Sequence, residues 1–184
     1  MGPAEVTLEH DEDDSAQRAS QGPRSLVDGY APGQDRPLGG YDVLMGIYGA
    51  AVTAGVISLR RRNRPLPDVR LFDIALVGLA THKVARRVSK DKVTSPLRAP
   101  FTRYEGVAGP AELKEGVRGR GLRRAVGELV SCPFCLSQWV STGFTFGLVA
   151  APRATRWTAS VFASLALADF LQFAYAWAEQ RAEG

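Results

Sequence analysis

Hydrophobic and polar positions are segregated along this chain in long blocks. Tyr41–Leu59 (YDVLMGIYGAAVTAGVISL) is apolar except for Asp42 at its start, and Arg60-Arg61-Arg62-Asn63-Arg64 follows directly. As a helix this 19-residue run rises about 28 Å, close to the roughly 30 Å of hydrocarbon in a bilayer. A basic cluster just past an apolar run is where a membrane helix stops, and Pro65 and Pro67 then mark a turn. Leu71–Val84 (LFDIALVGLATHKV) is shorter and carries Asp73, His82 and Lys83. Its spacing fits either a crossing, with Lys83, Arg86 and Arg87 snorkelling to the interface, or a helix lying in the interface. Leu129–Ala151 runs 23 residues without a charge, and Trp157–Ala178 runs 22 with only Asp169. The Pro/Arg segment 151–156 between them predicts a helical hairpin, with Trp157 and Trp177 at the two water–lipid boundaries. The pattern therefore predicts an all-α integral membrane bundle of three or four membrane segments.

The ends and the middle of the chain differ in charge. Residues 1–40 hold 8 acidic and 3 basic side chains among Gly, Pro, Ser and Gln, and too few large apolar residues to offset ordering entropy. They predict a disordered acidic tail, and with no basic start followed by an apolar run, no signal peptide. Residues 86–124 hold 11 basic and 4 acidic side chains with weak periodicity, which predicts a basic polar loop over 86–128 with room for one surface helix. With four crossings both termini share a side with this loop. The positive-inside tendency then makes that side cytoplasmic in a multi-pass protein of the cell membrane, although the 60–64 cluster pulls the other way.

Whole-chain figures change this picture little. The 184 residues are 45% hydrophobic and 23% charged. Two cysteines exclude a multi-disulfide scaffold and a four-thiolate zinc site within one chain. No catalytic triad or cofactor fingerprint is present, so no catalytic residue and no cofactor are assigned.

Cys132-Pro133-Phe134-Cys135 is the sharpest local feature. A C-x-x-C pair on one turn serves as packed small thiols, as a dithiol–disulfide couple, or as half of a zinc or other soft-metal site. His82 is the weak third ligand for the last reading; His10 lies in the tail. Asp169 sits halfway along the last apolar segment and must face protein, water or a partner. It suits an ion relay or an ion pair with another helix. Gly143 and Gly147 form G-x-x-x-G, a face that permits close helix approach within one chain or between two copies. The basic run Arg118–Arg124 suits anionic headgroups of the lipid bilayer. Nucleic acid is not expected, because no stacking pattern or recognition helix accompanies that charge.

The residues from about 71 to 178 resemble the bacterial membrane family known as domain of unknown function 1360. The resemblance rests on Thr81-His82-Lys83-Val84-Ala85-Arg86, on Asp91-Lys92-Val93-Thr94-Ser95-Pro96-Leu97-Arg98-Ala99-Pro100-Phe101, and on Gly127-Glu128-Leu129 leading to Cys132, Cys135 and Trp139. His82 and Ala85 depart from the family's T-x-R-L-T-R-like start. The resemblance implies a membrane location and no activity. It also suggests that Asp91, Thr94, Arg98, Glu128, Cys132, Cys135 and Trp139 gather at one membrane face, with Thr94 capping a short helix. Such a cluster would be either a site or a lock of the loop onto the helices.

Overall fold

The computed structural model describes residues 30, 31, 36–63, 65, 66, 68 and 70–183. The predicted acidic tail, apart from its last positions, His10 and Arg64 lie outside the described residues. The chain divides into Met1–Arg36 and Pro37–Gly184, and the fold described here is that of the second unit.

Its elements are α1 (Leu38–Arg61), α2 (Leu71–Lys90), the single turn α3 (Ser95–Arg98), β1 (Thr102–Gly109), β2 (Glu112–Val117), α4 (Gly121–Ser131), α5 (Pro133–Ala150) and α6 (Pro152–Glu183). Two of them, α1 and α6 over Pro152–Ala182, are long and apolar enough to cross a membrane, with mean hydropathies of 1.6 and 1.4.

Side-chain pairs fix the directions of the four long helices. Tyr48 of α1 meets Trp139 and Thr142 of α5, and the next turns bring Gly55 against Phe146, so these two run the same way. Asp73 and Lys83 of α2 pair in order with Arg156 and Asp169 of α6, so α2 and α6 also run together. Between α5 and α6 only Ala151 is non-helical. The result is an up-down-up-down arrangement. One end holds the Ala151 turn and the α1–α2 connection. The other holds the start of α1 and everything between α2 and α5, and is called the cap end below.

Leu76, Ala80, Ala159 and Ala163 form the buried cluster where α2 meets α6, with Leu79, Phe144 and Phe162 packed against it. Many other large apolar side chains point outward, among them Met45, Ile47, Phe72, Ile74, Phe173 and Trp177.

The structure changes five expectations. The region 86–128 is not a bare loop, so the fold is mostly helical rather than all-α. An antiparallel hairpin, β1–β2, pairs Thr102 with Val117 and Gly109 with Glu112 around a Pro110-Ala111 turn. A two-stranded hairpin is marginal alone; this one is held by contacts to α2 and α4 that periodicity cannot show. The first helix begins at Leu38, not Tyr41, and α2 runs to Lys90 rather than Val84. The uncharged run from Leu129 is two helices, because Pro133 cannot continue α4 and instead opens α5. The expected six-residue turn shrinks to Ala151, with Pro152 starting α6.

Helix α4 seats the hairpin through Gly127. A Cβ there would stand 2.6 Å from Val117 Cγ1 and 2.9 Å from the Phe101 carbonyl oxygen. Overpacking of this kind costs about 1–3 kcal/mol. Gly127→Ala is therefore expected to lower the melting temperature of the purified protein while leaving its helical circular dichroism intact.

Candidate functional site

The cap end is organised by one buried guanidinium. Helix α2 ends at Lys90, leaving its last carbonyls without helical donors. The chain turns back through Asp91 and Thr94, and α3 delivers Arg98, which is fully buried. Its Nη1 donates to the Val88 carbonyl at 2.6 Å and to Thr94 Oγ1 at 2.8 Å, and Nη2 donates to the Asp91 carbonyl at 3.0 Å. Nε and Nη2 also hold Glu115 of β2 at 2.6 and 3.2 Å. All five guanidinium donors are thereby used. The cation also sits at the negative end of the α2 dipole. Thr94 occupies the N-cap position of α3, but its hydroxyl makes no cap there. It donates backward to the Arg87 carbonyl at 2.6 Å, so the expected helix-starting cap is a helix-ending one. Thr102 donates to the Arg98 carbonyl at 3.0 Å. Arg86 grips Glu112 at the hairpin tip through Nε and Nη2 at 2.7 and 3.0 Å, and Arg87 pairs with Asp91 at 3.2 Å.

This brings together Asp91, Thr94 and Arg98 but not the rest of the predicted cluster. Glu128 accepts from Tyr41 of α1 and from Arg124 at 3.1 Å, tying α4 to the start of α1. Trp139 lies edge-on to Tyr48, with ring centroids 5.1 Å apart at 70°. Cys132 and Cys135 are free thiols. Cys132 caps α5, its sulfur accepting the Cys135 N–H at 3.2 Å, with the Cys135 Sγ 2.7 Å away. Serine is among the preferred N-cap residues. Cys132→Ser is therefore expected to hold stability within about 1 kcal/mol of the parent, checked by thermal melting.

His82 stacks on Phe170 of α6 at 5.7 Å. Among the described residues no group of three or more His, Cys, Asp or Glu side chains is placed to hold a metal ion. Asp169 is held by Lys83 of the neighbouring helix. Gly147 is occupied within the chain, since a Cβ there would stand 2.7 Å from Thr155 Oγ1 of α6. In the basic run, Arg118 and Arg123 donate to the Pro100 carbonyl and Arg124 holds Glu128.

Sequence reasoning missed Glu115 and Thr102, which complete the Arg98 cluster, and Arg156, which holds Asp73 through Nε and Nη2 at 2.8 and 3.1 Å. Hairpin glutamates 105, 112 and 115 look alike in the sequence; only the register sends Glu115 inward.

The architecture is thus a helical bundle with an arginine-clasped cap and an adjacent dithiol. The chain belongs to a family described as a protein of unknown function (DUF1360), whose family model matches residues 76–175. It is also similar to the sporulation protein YjcA of Bacillus subtilis strain 168, with 28% identity over 102 residues covering 54% of this chain and 86% of that protein. No solved structure matches it.

Proposed function

We propose that this chain is a multi-pass integral membrane protein whose four long helices all cross the bilayer, and that it works as a non-enzymatic membrane component through helix packing, lipid and partner contact. The observation that carries the reading is the placement of apolar bulk. Three alanines let α2 and α6 meet closely beside Leu76, while many Phe, Ile, Leu, Tyr and Trp side chains face outward along α1, α2 and α6. In water such surface would be a liability. In lipid, small residues let helices approach and large ones meet acyl chains. Trp157 and Trp177 lie 20 residues apart on α6, about 30 Å of helix and one hydrocarbon thickness. The positive-inside tendency puts the cap end, with its 11 basic residues between 86 and 124, in the cytoplasm. There the cap's basic surface meets anionic headgroups or a partner. The relative named for sporulation supports a place in that process.

Alkaline carbonate extraction of cells expressing the full chain tests the reading. Retention in the membrane pellet and release only by detergent is the expected result; appearance in the carbonate supernatant would overturn it.

A second reading, thiol–disulfide exchange, is favoured by the dithiol at the start of α5. In it the Cys132 thiolate attacks a partner's disulfide, one partner sulfur leaves as a thiolate, and Cys135 resolves the mixed disulfide. The partner emerges as a dithiol and this chain as a disulfide. Trapping a mixed disulfide with Cys135→Ser supports this reading; unreactive thiols in native membranes count against it.

A further inference from the structure

We propose that the groove between α2 and α5 seats one anionic phospholipid, with an acyl chain along its middle and the headgroup phosphate at the start of α5. This rests on the four-helix membrane reading. The groove is two cavities that share Gly78. One, of about 440 Å³, is mostly apolar, with Ile74, Val77, Leu148 and Val149 in its walls beside Ser141, Thr145 and Asp73, the last paired with Arg156. The other, of about 330 Å³, lies toward the cap end, where Thr81, His82 and Arg86 face Phe134 and Ser137. Ile74 to Arg86 is about 18 Å of helix, so the groove runs along most of one crossing and changes from apolar to polar in the direction of the cap.

The polar end lies level with Phe170, on which His82 stacks, so the phosphate is drawn about 10 Å below the Trp177 ring, and three features hold it there. Thr81 is 7% exposed, and its Oγ1 has no hydrogen-bond partner, although a helical threonine in lipid ordinarily finds one. Arg86 gives Nε and Nη2 to Glu112, which leaves Nη1 available. The third is the N-terminus of the 18-residue α5, which opens at Pro133 in the wall of the same cavity; Pro133 has no N–H and Cys132 caps that of Cys135, so it is the helix dipole that favours an anion there. No acidic side chain lines this cavity. The nearest carboxylate on this side, Glu112, is already held by Arg86, so a headgroup ammonium gains less here than an anion, and an anionic lipid is preferred over a zwitterionic one.

Gly78 gives a direct test, because it lines both cavities and a Cβ added there meets nothing within 4 Å. Gly46 on α1 is equally free of neighbours and serves as the control. The full chain in detergent is titrated with phosphatidylglycerol, phosphatidylcholine and inorganic phosphate, and bound lipid is counted by native mass spectrometry. The expected result is one phosphatidylglycerol per chain, held about tenfold more tightly than phosphatidylcholine. Gly78→Phe and Thr81→Val should each weaken it about tenfold, and Gly46→Phe should not.

Equal retention of the two lipids, or loss in Gly78→Phe but not in Thr81→Val, would overturn the headgroup assignment. Displacement of the lipid by inorganic phosphate would make this a free-phosphate site and overturn the acyl seat. Unchanged binding in Gly78→Phe would overturn the groove altogether. Carbonate extraction on the same cells separates the two levels: a pelleted protein that retains no lipid refutes this inference alone, whereas an extracted protein refutes the membrane reading beneath it.

Discussion

Arg98→Met is expected to be the most damaging single substitution at the cap end. It leaves the Glu115 carboxylate 7% exposed with its cation gone and frees the Val88 and Asp91 carbonyls at the end of α2. Breaking a buried ion pair from one side costs about 3–5 kcal/mol, which is comparable with the whole stability of a marginal protein. Residues 91–131 should become sensitive to limited proteolysis while α5 and α6 stay protected, and the melting temperature should fall. Arg98→Lys recovers little, because an ammonium has three donors and no fork with which to reach Glu115, Val88, Asp91 and Thr94 together. The double variant Arg98→Met/Glu115→Leu removes both charges and should recover part of the loss. Unchanged proteolysis and melting in Arg98→Met would show that the clasp does not hold the cap.

The second large effect lies between α2 and α6. Asp169 is 12 residues below Trp157 and 8 above Trp177, so in a bilayer bounded by those rings it sits inside the hydrocarbon, neutralised by Lys83. A lone charge at the centre of a membrane helix costs about 2.5–3.5 kcal/mol on insertion scales. Lys83→Met and Asp169→Leu should each reduce the yield of folded protein in the membrane severalfold. Lys83→Met/Asp169→Leu together, and the exchange Lys83→Asp/Asp169→Lys, should restore it. Yield is read by fluorescence-detected size exclusion of detergent extracts. Single variants at parental yield would show that the pair carries no such cost. A double neutral variant no better than the singles would indicate that the charges serve something other than each other.

These two sites were legible in the sequence to different degrees. Apolar runs of 19 to 23 residues locate α1, α5 and α6, because continuous hydrophobicity of that length is a local property, whereas the shorter, charge-bearing block at 71–84 marks only the first part of α2. Asp169 stands out for the same reason, being the one charge in its block. Its partner does not stand out: Lys83 reads as a snorkelling end residue until α2 is placed beside α6. Arg98 belongs to a recognisable motif, yet the motif says nothing of Glu115, 17 residues on and reached only through the hairpin register. Thr94 shows the limit most clearly. Its position before Ser95-Pro96 is a sound helix-start signal, and it does occupy that position, but its hydroxyl is drawn to the end of the preceding helix because the chain reverses there. The break at Cys132 was foreshadowed by Pro133, whereas the hairpin had neither alternation nor apolar bulk to announce it.

Two-sided cysteine labelling in intact cells tests the four-crossing bundle most directly. In the Cys132→Ser/Cys135→Ser background, single cysteines replace Asn63 and Arg153 at the turn end, and Val93 and Arg181 at the cap end; all four positions are exposed. A membrane-impermeant maleimide should label Asn63→Cys and Arg153→Cys from outside, and should reach Val93→Cys and Arg181→Cys only after permeabilisation. Labelling of Asn63→Cys and Val93→Cys from the same side would contradict the account, because α2 would then not cross.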